Sequence, residues 1–150
     1  MEREIAMKRA ASFCAESERS VAEVERRLRK WGVDGDDIDS IIDKLKSEDF
    51  VNDERYCKAY INDRFRLNHW GKVKIVYELK KRGLDKEYID AAIDDIDDDE
   101  YTEVLRKLID DKLRTIKDTD VYSAKVKTLG YALRRGFESD IVSKILKDVF

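Results

Sequence analysis

The sequence contains no proline and only six glycines in 150 residues. So few chain breakers favour helix from end to end. Its one histidine, His69, argues against a histidine-based triad or a multi-histidine metal site within one chain. The two cysteines, Cys14 and Cys57, match no metal-ligand spacing and form no disulfide framework. Each falls on an apolar stripe, which predicts a buried, reduced thiol and a reducing compartment. No apolar run nears the roughly 20 residues of a membrane span. The opening stretch, MEREIAMKRAASFCAES, is charged and helical in pattern and lacks an apolar h-region, so no signal peptide is expected and the cytoplasm is the expected location. There is no GxGxxG, Walker motif, nucleophile elbow or HExxH. No catalytic residue, cofactor site or metal site is therefore assigned, and no enzyme is expected. Scattered carboxylates on charged helices are no sign of acid–base work.

Charge is what the sequence has in excess. Asp, Glu, Lys and Arg make up 43% of the residues, well above the usual quarter or so. Helices this charged are marginal in isolation, so their stability must come from packing narrow apolar stripes.

Three glycines, Gly32, Gly83 and Gly136, lie 51 and 53 residues apart. Each follows basic residues: Arg29 and Lys30, then Lys80, Lys81 and Arg82, then Arg134 and Arg135. Each is followed by one apolar residue, Val33, Leu84 or Phe137. A basic last turn complements the helix dipole, and glycine takes the left-handed position just past the helix end. New helices are then expected from Asp34 or Asp36, from Asp85 and from Ser139, with stripes Ile38/Ile41/Ile42/Leu45, Ile89/Ala92/Ile93/Ile96 and Ile141/Ile145/Leu146/Val149. A helix precedes each glycine. The first opens on the capping box Ser20–Glu23 and the second on Gly71; the third starts near Thr119 or Asp120 and carries the stripe Tyr122/Val126/Leu129/Leu133. One more helix comes before each of these, marked by Ile5/Ala6/Ala10/Phe13/Cys14, by Tyr56/Cys57/Tyr60/Ile61/Phe65 behind an Asn52 or Asp53 cap, and by Tyr101/Val104/Leu105/Leu108/Ile109. The prediction is an all-α chain: an elongated, curved tandem array of three three-helix repeats, residues 1–50, 51–97 and 98–150, in one continuous array with shared cores. Gly32, Asp53, Gly71, Gly83 and Gly136 are the expected structural residues.

The net charge of −3 hides a pattern. Residues 51–84 carry a local +5, residues 85–103 a local −9, and residues 104–150 a local +4. The acid run Asp94–Glu100 lacks the glycine-containing loop of a calcium site and reads as a solvated junction whose later acids support the next helix start. The cations Arg64, Arg66, Lys72 and Lys74 flank His69, Trp70 and Gly71, and Lys80, Lys81 and Arg82 end the same helix. Such a cluster suits either an ordinary solvated helix face or a polyanionic partner, nucleic acid or acidic protein. Recurrence before each glycine would align these cations, with Arg134 and Arg135, along one edge of the array. His69 is expected in an exposed loop. Trp31 and Trp70 are expected to pack onto their own units, with an interface anchor as the competing reading.

Asn52-Asp53-Glu54-Arg55-Tyr56-Cys57, Tyr60-Ile61, Arg64, Trp70-Gly71-Lys72, Ile75, Glu78-Leu79 and Arg82-Gly83-Leu84 together resemble the RecX family of recombination regulators. Ser20 and Glu23 with Leu28, and Arg134-Arg135-Gly136-Phe137, resemble that family's first and third units, so the likeness spans almost the whole chain. Cys57 and Ala132 depart from the commoner residues. The resemblance implies a non-enzymatic modulator, usually an inhibitor, of the RecA recombinase in DNA repair, recombination and the SOS response. It implies binding along the groove of the RecA–DNA filament, with filament growth, ATP hydrolysis and strand exchange limited as a result. It leaves direct contact with single- or double-stranded DNA open. The expected contact residues are Arg64, Arg66, Lys72, Lys74, Lys80, Lys81, Arg82, Arg134 and Arg135, on a monomer with no membrane partner.

Overall fold

A polar side chain or a short acidic turn opens most of the helices, and a basic turn closes several of them. The computed structural model describes residues 1–117 and 120–150. Among the described residues there are nine α-helices and no strand. The first unit holds α1 (Arg3–Glu16), α2 (Val21–Lys30) and α3 (Gly35–Ser47). The second holds α4 (Asp53–Arg66), α5 (Lys72–Lys81) and α6 (Lys86–Asp94). The third holds α7 (Asp98–Thr115), α8 (Val121–Arg134) and α9 (Ser139–Val149).

The capping box at Ser20 and Glu23 is formed. Asn52, rather than Asp53, caps α4 by accepting from the Arg55 amide at 3.0 Å. Asp97 caps α7 and accepts from the Glu100 amide, so the acid run does open a helix there. Asp120 is the N-cap of α8; Thr119, the other candidate, lies outside the described residues. Gly32, Gly83 and Gly136 all take positive φ, at 77°, 84° and 95°.

α9 starts one residue earlier than its serine suggests. Glu138 is the N-cap and Ser139 the first helical residue. The Glu138 carboxylate makes no capping bond because it accepts from the Tyr101 hydroxyl instead.

α8 is turned away from the expected face. Its buried residues are Ala124, Thr128 and Ala132, while Tyr122, Val126 and Leu133 are exposed. The small face lies where α8 meets α7 and α9, and backbones can approach closely only through small side chains. The buried Thr128 hydroxyl donates to the Ala124 carbonyl at 2.8 Å, so no polar group is stranded.

The apolar interior divides in two. Ala6, Val24, Leu28, Ile41 and Leu45 centre a core belonging to the first unit. The second and third units share another, in which Phe65, Tyr101 and Phe137 form a row with ring centroids 5.6 Å and 5.1 Å apart. Cys14 and Cys57 are free and buried, one in each core. Burial raises both thiols above their usual range, Cys57 to about 11.

The two junctions between units are built differently. At the second, Gly71 and Gly136 touch backbone to backbone: the Gly71 amide donates to the Arg135 carbonyl at 2.7 Å, and the Val73 amide to the Gly136 carbonyl at 2.9 Å. A β-carbon on Gly71 would sit 2.3 Å from the Gly136 backbone. Gly71 therefore owes its identity to close approach rather than to φ, which is −78°. The buried Tyr101 hydroxyl lies between these strands of contact, accepting from the Lys72 amide at 2.9 Å and donating to Glu138.

At the first junction the ties are polar. Asp53 caps across units, its Oδ1 accepting from the Val21 amide of α2 at 2.8 Å. Arg55 pairs with Glu18 at 2.8 Å and donates to the Asp49 carbonyl.

Candidate functional site

Four aromatic residues are followed four positions later by a cation, and in three of these pairs, Tyr60–Arg64, Trp70–Lys74 and Tyr131–Arg135, the cation lies against the ring. Arg64 lies 4.9 Å from the Tyr60 ring centroid and 5.2 Å from that of Trp70. Lys74 is 4.3 Å from the Trp70 centroid, and Arg135 is 5.9 Å from that of Tyr131. Arg82, at the C-cap of α5, comes within 5.1 Å of the Tyr60 centroid and donates to the Tyr56 hydroxyl at 3.4 Å.

These contacts join into a row. Tyr60 links Arg82 to Arg64. Arg64 donates from Nη1 to the Asn68 side chain at 3.0 Å, and Arg135 donates from Nη2 to the Asn68 main-chain carbonyl. Asn68 thus bridges a cation of the second unit to one of the third. The bend that presents it passes through His69, an exposed residue with a positive φ of 55°.

The electrostatics of the row are one-sided. Among the described residues no carboxylate lies within ion-pair distance of Arg64, Lys74, Arg82 or Arg135. The Nε atoms of all three arginines are buried and have no hydrogen-bond partner in the protein. A guanidinium held against a ring is pre-organised, and an outer edge left without a carboxylate suits an oxyanion that can take two parallel N–H bonds, whether phosphate or carboxylate. Stacking on a ring contributes about 0.5–1 kcal/mol at an exposed site, comparable to a surface ion pair, so the rings hold these cations in place while leaving their charge unanswered by a carboxylate.

The other expected contact residues separate into two groups. Arg66 and Lys72 are drawn to the acidic start of α7: Arg66 meets Glu100 at 3.4 Å, and Lys72 meets Asp98 at 3.9 Å while lying 4.6 Å from the Tyr101 ring centroid. Their charge is already partly answered within the chain. Lys80, Lys81 and Arg134 are exposed on the last turns of α5 and α8. The first unit does not extend the row. Trp31 stands where Arg82 and Arg135 stand in the later units, with Arg9 over its ring at 5.4 Å, and Arg29 pairs with Glu25. The first unit has its own ring-stacked cations, Arg9 on Trp31 and Arg19 and Arg27 on Phe13, while the linked row described above joins cations of the second and third units. Asn68 and the ring of Tyr131 belong to it although neither is among the expected contact residues, and Tyr60, expected as a buried stripe residue, supplies a ring to it as well.

Among the described residues no helix is long and apolar enough to cross a membrane.

The family descriptions "RecX, first three-helix domain", "RecX, second three-helix domain" and "RecX, third three-helix domain" match residues 6–45, 52–93 and 98–146. Regulatory protein RecX of Clostridium acetobutylicum is 32% identical over 149 residues, covering 97% of this chain and 69% of that protein. Regulatory protein RecX of Clostridium beijerinckii is 32% identical over 129 residues, covering 85% of this chain and 60% of that protein. The chain therefore spans only part of the length of these relatives. The crystal structure of RecX from Lactobacillus salivarius superposes with a TM-score of 0.90 at 24% identity, covering 97% of this chain and 95% of that one. A second crystal structure, of regulatory protein RecX, superposes at 0.87 with 19% identity, covering 97% and 73%. With three domains matched in series and a relative 32% identical over 97% of this chain, the chain belongs to the RecX family.

Proposed function

We propose that this protein is a regulator of the RecA recombinase that binds the RecA–DNA filament through the row Arg82–Arg64–Arg135, with Lys74 beside it, and limits ATP hydrolysis and strand exchange. The carrying observation is a set of four ring-stacked cations with no carboxylate partner among the described residues, in a family whose members are named regulatory proteins. A filament of protein and nucleic acid offers phosphates and carboxylates at regular intervals, and a rigid row of guanidinium groups can engage either. Lys80, Lys81 and Arg134 would add longer-range attraction, whereas Arg66 and Lys72 contribute less because of their own acids. On this reading the protein acts in the cytoplasm, as a monomer and without catalysis.

The test is RecA ATP hydrolysis on single-stranded DNA with this protein titrated in. Inhibition is expected to saturate, and to weaken by about tenfold or more in the triple variant Arg64→Gln/Arg82→Gln/Arg135→Gln, each lost charge-assisted contact being worth roughly 1.5–3 kcal/mol. Arg66→Gln should change it little. Unchanged hydrolysis and strand exchange at saturating protein would sink the proposal.

A second reading is a DNA-binding protein that acts without RecA. Its motivation is the interleaving of Trp70, Tyr60 and Tyr131 with cations, since bases stack on such faces. Salt-dependent binding to bare single strands, with no RecA retained in a pull-down, would favour it.

A further inference from the structure

α8 turns its large apolar side chains outward. Tyr122, Val126, Leu129 and Leu133 stand at i, i+4, i+7 and i+11, one stripe along the helix. Tyr122 is 74% exposed, Val126 49% and Leu133 40%. Between this stripe and α9 lies a groove of about 430 Å³. Leu129 and Leu146 line it on the less exposed side, Tyr122 and Val126 wall it, and Lys125 and Lys147 stand at its edge.

Among the described residues the lining of the groove carries charge of one sign, from Lys125 and Lys147, and no carboxylate. α8 itself carries Lys125, Lys127 and Arg134 and no acid over 14 residues, in a chain with 34 acids. Tyr131 and Arg135, which belong to the cationic row, lie on the opposite side of α8, about half a turn round the helix. The groove is therefore a separate surface.

We propose that this groove docks a short amphipathic helix of a protein partner, one whose apolar stripe is flanked by Asp and Glu. Apolar anchors at i, i+4 and i+7 of the incoming helix would sit over Leu129 and Leu146, between Tyr122 and Val126. Lys125 and Lys147 would meet its flanking carboxylates, which sets the sign of charge that is accepted. A second copy of the chain fits less well. A two-fold pairing through this face would set Lys125 and Lys147 of one copy against the same lysines of the other.

The test uses the whole chain and fluorescein-labelled synthetic amphipathic helices with leucine anchors at i, i+4 and i+7, flanked by Glu in one set and by Lys in the other. Saturable binding of the Glu-flanked set is expected by fluorescence anisotropy, weakening as salt rises. Tyr122→Ser/Val126→Ser should weaken it by about tenfold or more, with helix content unchanged by circular dichroism, since both residues are exposed. Lys125→Glu/Lys147→Glu should reverse the preference towards the Lys-flanked set. Equal binding of both sets, or binding of neither, overturns the proposal. So does concentration-dependent dimerisation in sedimentation that Tyr122→Ser/Val126→Ser abolishes, which would assign the face to a second copy.

Discussion

The first and second junctions join units of the same kind by opposite means. The second is centred on apolar and backbone contact: two glycine backbones together, three aromatic rings in a row and one shared core, with the ion pairs Arg66–Glu100 and Lys72–Asp98 at its edge. The first is held by a carboxylate on a helix start and by an arginine on two acceptors, between cores that stay separate. Contact between buried apolar surfaces is insensitive to salt and intolerant of added volume, whereas ion pairs and caps are modest in strength and screened by salt. The second and third units should therefore behave as one body, and the first should loosen from it at lower free energy.

The most severe way to break the second junction is to add one carbon to it. Gly136→Ala would place a β-carbon 2.3 Å from that of Lys74 and 2.8 Å from its amide, at a φ of 95°. Loss of about 4 kcal/mol or more is expected, read as a fall in the urea midpoint. Gly32→Ala is the matched control. Gly32 also has a positive φ but nothing within 4 Å of a β-carbon, so only the backbone penalty of about 1 kcal/mol should appear.

Next in size is Tyr101→Phe. It removes the acceptor of the Lys72 amide and the donor to Glu138 while leaving the ring row intact. The expected destabilisation is about 1–3 kcal/mol, in the range of a buried donor left unmade. An unchanged midpoint would show that the ring packing alone holds the units.

Smaller still, and confined to the other junction, is Asp53→Ala. Loss of a cap costs about 1 kcal/mol. Faster amide exchange is expected at the start of α2, beginning with Val21, and not in α7 to α9. Arg55→Ala should add about 0.5–1 kcal/mol, and less in high salt, because the pair with Glu18 is partly exposed.

The gentlest test is alkaline pH. Burial, reinforced by the Glu23 carboxylate of α2, pushes the Tyr56 phenol from 10.0 up to about 12. The folded state thus holds this proton more tightly than the unfolded chain does. The corresponding stability is complete below pH 10 and is lost as pH rises towards about 12. Tyr101 is raised further, by burial and then by Glu138, so it adds to the same loss from pH 10 upward and goes on adding after Tyr56 has ionised in the folded state. Tyr56→Phe should flatten the earlier part of the curve, followed by near-ultraviolet circular dichroism.

Where periodicity and volume agree, the fold could be read directly from the residues. All five stripe positions of α4 are buried, as are Ile38, Ile41, Ile42 and Leu45 of α3. α8 could not be read this way because it has two stripes at helical spacing, one of large residues and one of small. Hydrophobicity favours the large one, but the narrow space between α7 and α9 admits only the small one. Gly71 was legible as a helix opening and not as a contact, because its partner lies 65 residues away. The cations of the candidate row were legible as a cluster, but their sorting was not. Which lysine or arginine finds a carboxylate depends on where α7 begins relative to α4 and α5, and that is a matter of packing.

The chain's two tryptophans fall on opposite sides of the polar junction, and this gives the molecule an optical probe of its own. Trp70 lies under Arg64 and Lys74, whereas Trp31 belongs to the first unit under Arg9. An anion drawing Arg64 and Lys74 off the Trp70 indole would change the polarity at that ring and leave Trp31 in its own surroundings. With Trp31→Phe the remaining emission would come from the cationic row alone, so occupancy of the row could be followed without attaching a label.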